Sequence, residues 1–224
     1  MQNNGESTNA RDQFNDFVQR NRKGIFFSLG ALVVLLVGLV VFLYVKDYLQ
    51  KKALAEVEVL NTRFTDLRAN LKEEDSADDV QSLLVDLNSF VNSKFGLAEG
   101  RGWTVIAQIH SEREEWQQAE DAWRNAAKAA ANSYLAPVAY FNAAAAAEEQ
   151  GKTEQAIELL EKSLSSKFEF PAAARAQFSI GRLNEELDNI PEAIIAYRLV
   201  VSKWPNLSGW TELANSRIVV LEEQ

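Results

Sequence analysis

Residues 100–133 read GRGWTVIAQIHSEREEWQQAEDAWRNAAKAAANS, and the rest of the fold is legible from this stretch. Within it Ala119 is followed four residues later by Trp123. The pair recurs 37 residues on as Ala156 and Leu160, and 37 further on as Ala193 and Tyr197. Sixteen residues before each Ala stand Trp103, Tyr140 and Gln177; twelve before stand Ala107, Ala144 and Gly181. A small residue on one helix and a large apolar one on the next is the pattern of helices that approach closely and interlock. A fixed period of this length signals stacked copies of one unit, each too small to bury its own apolar face. Ten glycines and four prolines in 224 residues are too few for an all-β chain.

The register resembles the tetratricopeptide repeat, a 34-residue helix–turn–helix unit. Residues 100–133 supply Trp103, Ile106-Ala107, Ala119, Trp123 and Ala126; residues 137–170 supply Tyr140, Ala143-Ala144, Ala156 and Leu160; residues 174–207 supply Ile180-Gly181, Ala193, Tyr197 and Pro205. The units are degenerate. Gln177 replaces an aromatic, Ala131 and Phe168 replace a proline, and each interval carries three extra residues. Gly151 reads as a helix stop, Thr153 and Asn189 as helix caps, and Pro137, Pro171 and Pro191 as first-turn residues. Residues 209–223 repeat the first-helix pattern once more, with Trp210 and Leu213-Ala214, and end in Glu222, Glu223 and Gln224, as a polar capping helix should.

Ahead of the repeats, Ala53, Val57, Leu60, Phe64, Leu67 and Leu71 form a stripe spaced by four and three. Packing on a following helix over residues 80–91 is the favoured reading, and a coiled-coil homodimer the alternative. The acidic run from Glu73 to Asp79 suits the N-terminus of that helix.

Residues 24–45 read GIFFSLGALVVLLVGLVVFLYV, with no charged side chain. At about 1.5 Å per residue they span roughly 33 Å, enough to cross a lipid bilayer. The run is too long for a signal-peptide core and ends without a small-residue cleavage site, so an uncleaved anchor is expected. Arg20, Arg22 and Lys23 flank one end and Lys46, Lys51 and Lys52 the other, which nearly balances the positive-inside rule. Phe14, Phe17 and Val18 suggest an amphipathic turn at the membrane surface, and residues 1–10 read as disordered. Residues 1–23 carry net charge +1 and residues 46–224 carry −10.

An acidic body argues against nucleic-acid binding. With no cysteine and one histidine, thiolate metal sites, disulfides and multi-histidine metal centres are excluded. His110 with Glu114 one turn on would give two ligands, too few for a structural metal site, so packing is expected. Residues 100–102 lack the rest of a dinucleotide loop, and no phosphate loop or nucleophile elbow occurs. Glu148-Glu149 and Glu185-Glu186 read as solvated helix faces, and Trp103, Trp123 and Trp210 as core. The expectation is a non-enzymatic interaction protein with no cofactor and no metal.

The whole arrangement resembles the YfgM-like family, ancillary subunits of the SecYEG translocon. The likeness is sharpest over Phe14–Gly24, FNDFVQRNRKG, and over residues 87–127, through Trp116-Gln117-Gln118-Ala119-Glu120. It implies an all-α protein with a single transmembrane helix, then a degenerate tetratricopeptide solenoid of antiparallel helix pairs with a C-terminal capping helix. The division is a cytosolic tail over 1–23, an anchor over 24–45, a juxtamembrane helix and atypical pair over 46–99, and the repeats and cap over 100–224. It also implies placement in the bacterial inner membrane with the repeats in the periplasm, and protein partners: a SecYEG-type translocon and a PpiD-like membrane-anchored chaperone. The alternative function is a structural scaffold of an envelope assembly.

In this repeat class the first helices line a concave groove. The positions facing it are Arg101, Thr104, Gln108 and Ser111; Val138, Phe141, Ala145 and Glu148; Arg175, Phe178, Arg182 and Glu185. Arg101, Thr104, Gln108, Phe141, Arg175, Phe178 and Arg182 are the candidate partner-binding residues. Phe141 and Phe178 either stand open in the groove or are covered by the final helix.

Overall fold

The computed structural model describes residues 5–73 and 76–223. Among them there is no strand, and the helices are α1 (Gly5–Leu67), α2 (Ala77–Ser93), α3 (Gly96–Glu112), α4 (Trp116–Ala129), α5 (Leu135–Glu148), α6 (Thr153–Leu164), α7 (Ala173–Glu186), α8 (Ile190–Lys203) and α9 (Ser208–Glu222). A 3-10 turn over Arg68–Asn70 follows α1. The chain forms two compact units, Met1–Lys51 and Lys52–Gln224.

The first unit is helical from Gly5 onward, so residues 5–10, expected to be disordered, are helix; residues 1–4 lie outside the described residues. It holds the one helix among the described residues that is long and apolar enough to cross a membrane. Phe26, Phe27, Val34, Leu35 and Phe42 are all more than 60% exposed. An unbroken apolar surface of this length, exposed among the described residues, is the composition of a lipid-facing helix.

The second unit is the helical array. Residues 52–71 place Ala53, Val57, Phe64 and Leu71 in the same core as Val80, Leu83, Leu87 and Phe90 of α2. Four of the six residues of the stripe read as a possible dimer seam are therefore buried within the chain, with Leu60 and Leu67 packed against them, and the homodimer alternative loses most of its surface. Arg63 pairs with Asp86 at 2.5 Å and Lys94 with Glu56 at 2.9 Å along this contact. Asp78 and Asp79 stand in the first turn of α2, as expected, while Glu74 and Asp75 lie outside the described residues.

Each repeat then turns in the same way. The Glu115 N–H donates to His110 O (2.9 Å), that of Lys152 to Ala147 O (3.0 Å), and that of Asn189 to Asn184 O (2.8 Å). One residue earlier, Glu114 N–H reaches Ser111 O, Gly151 N–H reaches Glu148 O, and Asp188 N–H reaches Glu185 O, at 2.8–3.0 Å. These paired bonds are the Schellman closure of a helix, which needs a left-handed residue just past its end. Glu114 (φ 60°), Gly151 (φ 69°) and Asp188 (φ 60°) fill that place, 37 residues apart. Thr153 is the first residue of α6 rather than its cap, and its hydroxyl faces Glu186 at 3.4 Å. Asn189 stands at the cap position of α8 but forms no side-chain cap bond, and Pro191 lies in the first turn. Pro137 is inside the first turn of α5; Pro171 precedes α7.

The small positions pack as read. Ala107, Ala144, Ala119, Ala156 and Ala193 are at most 2% exposed. At Gly181 a Cβ would stand 2.6–2.8 Å from the Tyr197 ring, so only hydrogen fits.

Two substitutions test the turn and the packing. Gly151→Ala meets no neighbour, so its cost is the left-handed backbone alone, about 1–2 kcal/mol. Asp188→Gly relieves the same strain and should raise stability by about 0.5 kcal/mol. Opposite shifts in denaturant midpoint are expected; equal shifts would contradict a shared turn.

Candidate interaction groove

The helices α5 and α7 carry the candidate residues onto one face because positions 5 and 9 of a unit lie one turn apart. Phe141, Ala145, Arg175, Phe178 and Arg182 line a single groove of about 310 Å³, together with Glu148, Glu149 and Trp210 of α9. The aromatic rings are half-buried. Phe178 lies 5.0 Å from the Tyr197 ring and 5.4 Å from Trp210; Phe141 lies 6.0 Å from Phe170. Each ring has one side in the core and one toward the groove, which answers the choice between open and covered with a division of each ring. Trp210, read as core, is a wall of the site.

The charges differ in how far they are already satisfied. Arg182 is held by Glu148 at 2.6 Å and Glu186 at 3.7 Å. Arg175 is exposed, with its guanidinium 5.4 Å above the Phe141 ring, and forms no ion pair among the described residues. A cation over an aromatic face keeps its hydrogen-bond donors free. The groove therefore presents aromatic walls and, in Arg175, a cation without an ion pair among the described residues, suited to an apolar anchor next to a carboxylate.

The first-repeat residues stand elsewhere. Arg101, Thr104 and Gln108 border a separate recess of about 300 Å³ with Val57, Glu58 and Asn61 of α1 and Tyr134. Arg101 donates to the Tyr134 hydroxyl (3.2 Å) and lies 3.8 Å from Glu58, while the Thr104 hydroxyl donates to Gly100 O. The structure does not join these three residues to the Phe141–Phe178 groove. No pattern in the residues predicts that 57–61 reach this face.

Glu185 is not a solvated face residue. It accepts a bidentate bond from Arg217 of α9 and a hydrogen bond from the Tyr197 hydroxyl. Burial pushes its carboxyl upward, but the bonds from Arg217 and Tyr197, with the Arg217 charge, outweigh this and hold it below the ordinary carboxylate range. The Tyr197 phenol is raised, first by burial and then by the bond to the Glu185 carboxylate. This triad latches the capping helix onto α7 and α8. A second polar cluster also escaped the sequence reading: buried Glu120 meets Arg124 at 2.9 Å, Lys152 at 3.3 Å and the amide of Gln150 at 3.2 Å. His110 pairs with Glu115 at 2.5 Å, whereas Glu114 turns away to Lys72. Among the described residues no cluster of three metal-ligating side chains occurs.

Comparison with known proteins places this geometry. A family model described as a tetratricopeptide repeat-like domain matches residues 15–218. A TPR repeat-containing protein of Treponema pallidum (strain Nichols) is 37% identical over 142 residues, which is 62% of this chain and 59% of that protein. The chain thus matches less than two thirds of the relative's length. A crystal structure of nearly identical TPR-like repeats from Podosopora anserina superposes with a TM-score of 0.53 at 14% identity, over 75% of this chain and 87% of the other. The structural likeness is one of fold.

The latch makes stability depend on pH at both ends. The depressed Glu185 contributes above its ordinary value of about 4.3, and that contribution is lost as pH falls through the folded value. The raised Tyr197 contributes fully below its ordinary value of about 10 and loses that contribution as pH climbs above it. Denaturant midpoints of the detergent-solubilised chain should fall outside roughly pH 5–9.5. Glu185→Gln should flatten both limbs; an unaltered pH profile in this variant would contradict the latch.

Proposed function

Because the chain belongs to the tetratricopeptide repeat-like domain family, we propose that it is a non-enzymatic, membrane-tethered protein-interaction module whose partner docks between α5, α7 and α9. One observation carries this reading: three half-buried rings, Phe141, Phe178 and Trp210, meet the uncommitted guanidinium of Arg175 in one groove. Half-buried aromatics and arginine are the residues from which binding hot spots are built, because they bury large area at small entropic cost. Gly24–Val45 supplies the tether, and residues 1–23 and 46–224 lie on opposite sides of the bilayer.

The finer role proposed is that of an accessory to a SecYEG-type translocon, helping to hand exported proteins to a PpiD-like chaperone. The protein would sit in the bacterial inner membrane, with its N-terminus cytosolic and its repeats periplasmic. Support comes from the resemblance over residues 14–24 and 87–127, and from a family match that runs through the apolar segment into α9. The envelope-scaffold alternative was built on the Ala53–Leu71 stripe, and burial of that stripe removes its main support.

A photo-cross-linking side chain at exposed Ala145, in the full-length protein in cells, tests both levels. Adducts with translocon subunits and a membrane-anchored chaperone, lost on Arg175→Glu, are the expected result. Adducts with other proteins alone would reject the export role and keep the module. Absence of any adduct at Ala145 would reject the groove. A reporter fused after Gln224 that is active only in the cytoplasm would reverse the topology.

A further inference from the structure

The third repeat departs from the other two at one place. Its first aromatic position, Trp103 and Tyr140 in the earlier units, is Gln177. Trp103 and Tyr140 pack against the main core, but in the third unit the core divides into two clusters. Ala176, Ile180 and Leu183 belong to the larger cluster, and Tyr197 and Val200 to the smaller. Beside Gln177 a groove of about 430 Å³ opens between α6, α7 and α8. It shares no lining residue with the Phe141–Phe178 groove.

The walls are apolar: Ile157, Leu164, Ile180 and Leu199, with Ile195 on the rim at 58% exposure. Gln177 forms part of the lining, is only 6% exposed, and its amide has no hydrogen-bond partner among the described residues. The amide atoms are reached by solvent, so their donors and acceptor are open to a ligand. Glu161 and Glu192 also line the groove, both exposed and neither ion-paired among the described residues. The site thus combines apolar walls that lack a ring, a solvent-reached amide with no protein partner among the described residues, and an acidic rim.

We propose that this groove binds a tyrosine side chain of a partner protein, flanked by lysine or arginine, which supplies in trans the ring that the third repeat lacks. The phenol ring fills the space between Ile157, Ile180 and Leu199. Its hydroxyl gives the Gln177 amide a hydrogen-bond partner, and the flanking cation meets Glu161 and Glu192. An aromatic anchor with a polar tip is the side chain whose two ends match such a pocket. The inference is independent of the groove between α5, α7 and α9, since the two sites have no residue in common.

The test uses the full chain in detergent and two probe peptides, acetyl-Lys-Tyr-Lys-amide and acetyl-Lys-Ala-Lys-amide, with binding read by NMR titration of glutamine side-chain amides. The tyrosine peptide should bind about tenfold more tightly or better, the gain expected from burying one ring, and should move the Gln177 amide signal. Gln177→Tyr, which restores the missing aromatic, should abolish binding while keeping or raising the melting temperature. Ile195→Lys, at an exposed rim position, should weaken binding without disturbing the core. Ala145→Trp, which blocks the other groove, should leave it unchanged. Equal binding of the two peptides, no binding of either at millimolar concentration, survival of binding in Gln177→Tyr or Ile195→Lys, or its loss in Ala145→Trp would each overturn the proposal. Concentration-dependent self-association removed by Gln177→Tyr would assign the groove to a second copy of the chain and overturn it as well.

Discussion

The Schellman turn between the two helices of each unit is the constraint on which the array depends. A helix pair can stack on the next only if every pair leaves its turn at the same angle. The paired bonds to His110 and Ser111, to Ala147 and Glu148, and to Asn184 and Glu185 set that angle three times over. Their geometry forces a left-handed residue at 114, 151 and 188. From there the contacts follow in register: Ala119, Ala156 and Ala193 each begin their helix with a bond to the residue four before, at 2.9–3.0 Å. In the third unit the small residue, Gly181, then meets the ring of the large one, Tyr197.

Much of this was legible because packing writes a period into sequence. The alanines and their partners recur at 37 residues, and the helices stand where that period puts them. The turn itself was legible only at Gly151. Glutamate and aspartate are weaker signals of left-handed backbone than glycine, so Glu114 and Asp188 pass as ordinary polar residues. Thr153 lies one residue inside its helix, and Asn189 holds the cap position without a side-chain bond. A Schellman turn delivers the chain directly into the next helix, and the backbone bonds from Ala156 N–H to Lys152 O and Ala193 N–H to Asn189 O begin it without a side-chain cap.

The site was legible in half. Phe141, Arg175, Phe178 and Arg182 come together because they occupy equivalent places on neighbouring first helices. Trp210 joins them because α9 repeats that first-helix place once more. Arg101, Thr104 and Gln108 obey the same rule, yet residues 57–61 of α1 border their face, and no periodicity in the repeats encodes a contact made by a segment before them. Charge was harder still. Glu185-Glu186 looks like a solvated pair, but Glu185 is held by groups 12 and 32 residues away, Tyr197 and Arg217. Such long-range pairing leaves no local pattern.

Degeneracy in a repeat is most informative where the structure does not repair it. The loss of a final proline at Ala131 and Phe168 changes nothing in the helix order. A polar insertion of comparable kind, Glu120, is repaired in full: Arg124, Lys152 and Gln150 converge on it from α4 and from the turn between α5 and α6. A buried carboxylate so surrounded meets the condition under which a polar core group is tolerated. Gln177 receives no such company. The two cases have the same origin, a polar residue at an interior helix face, and opposite outcomes. One is closed by the chain's own side chains, and the other leaves a lined space with its amide open to solvent.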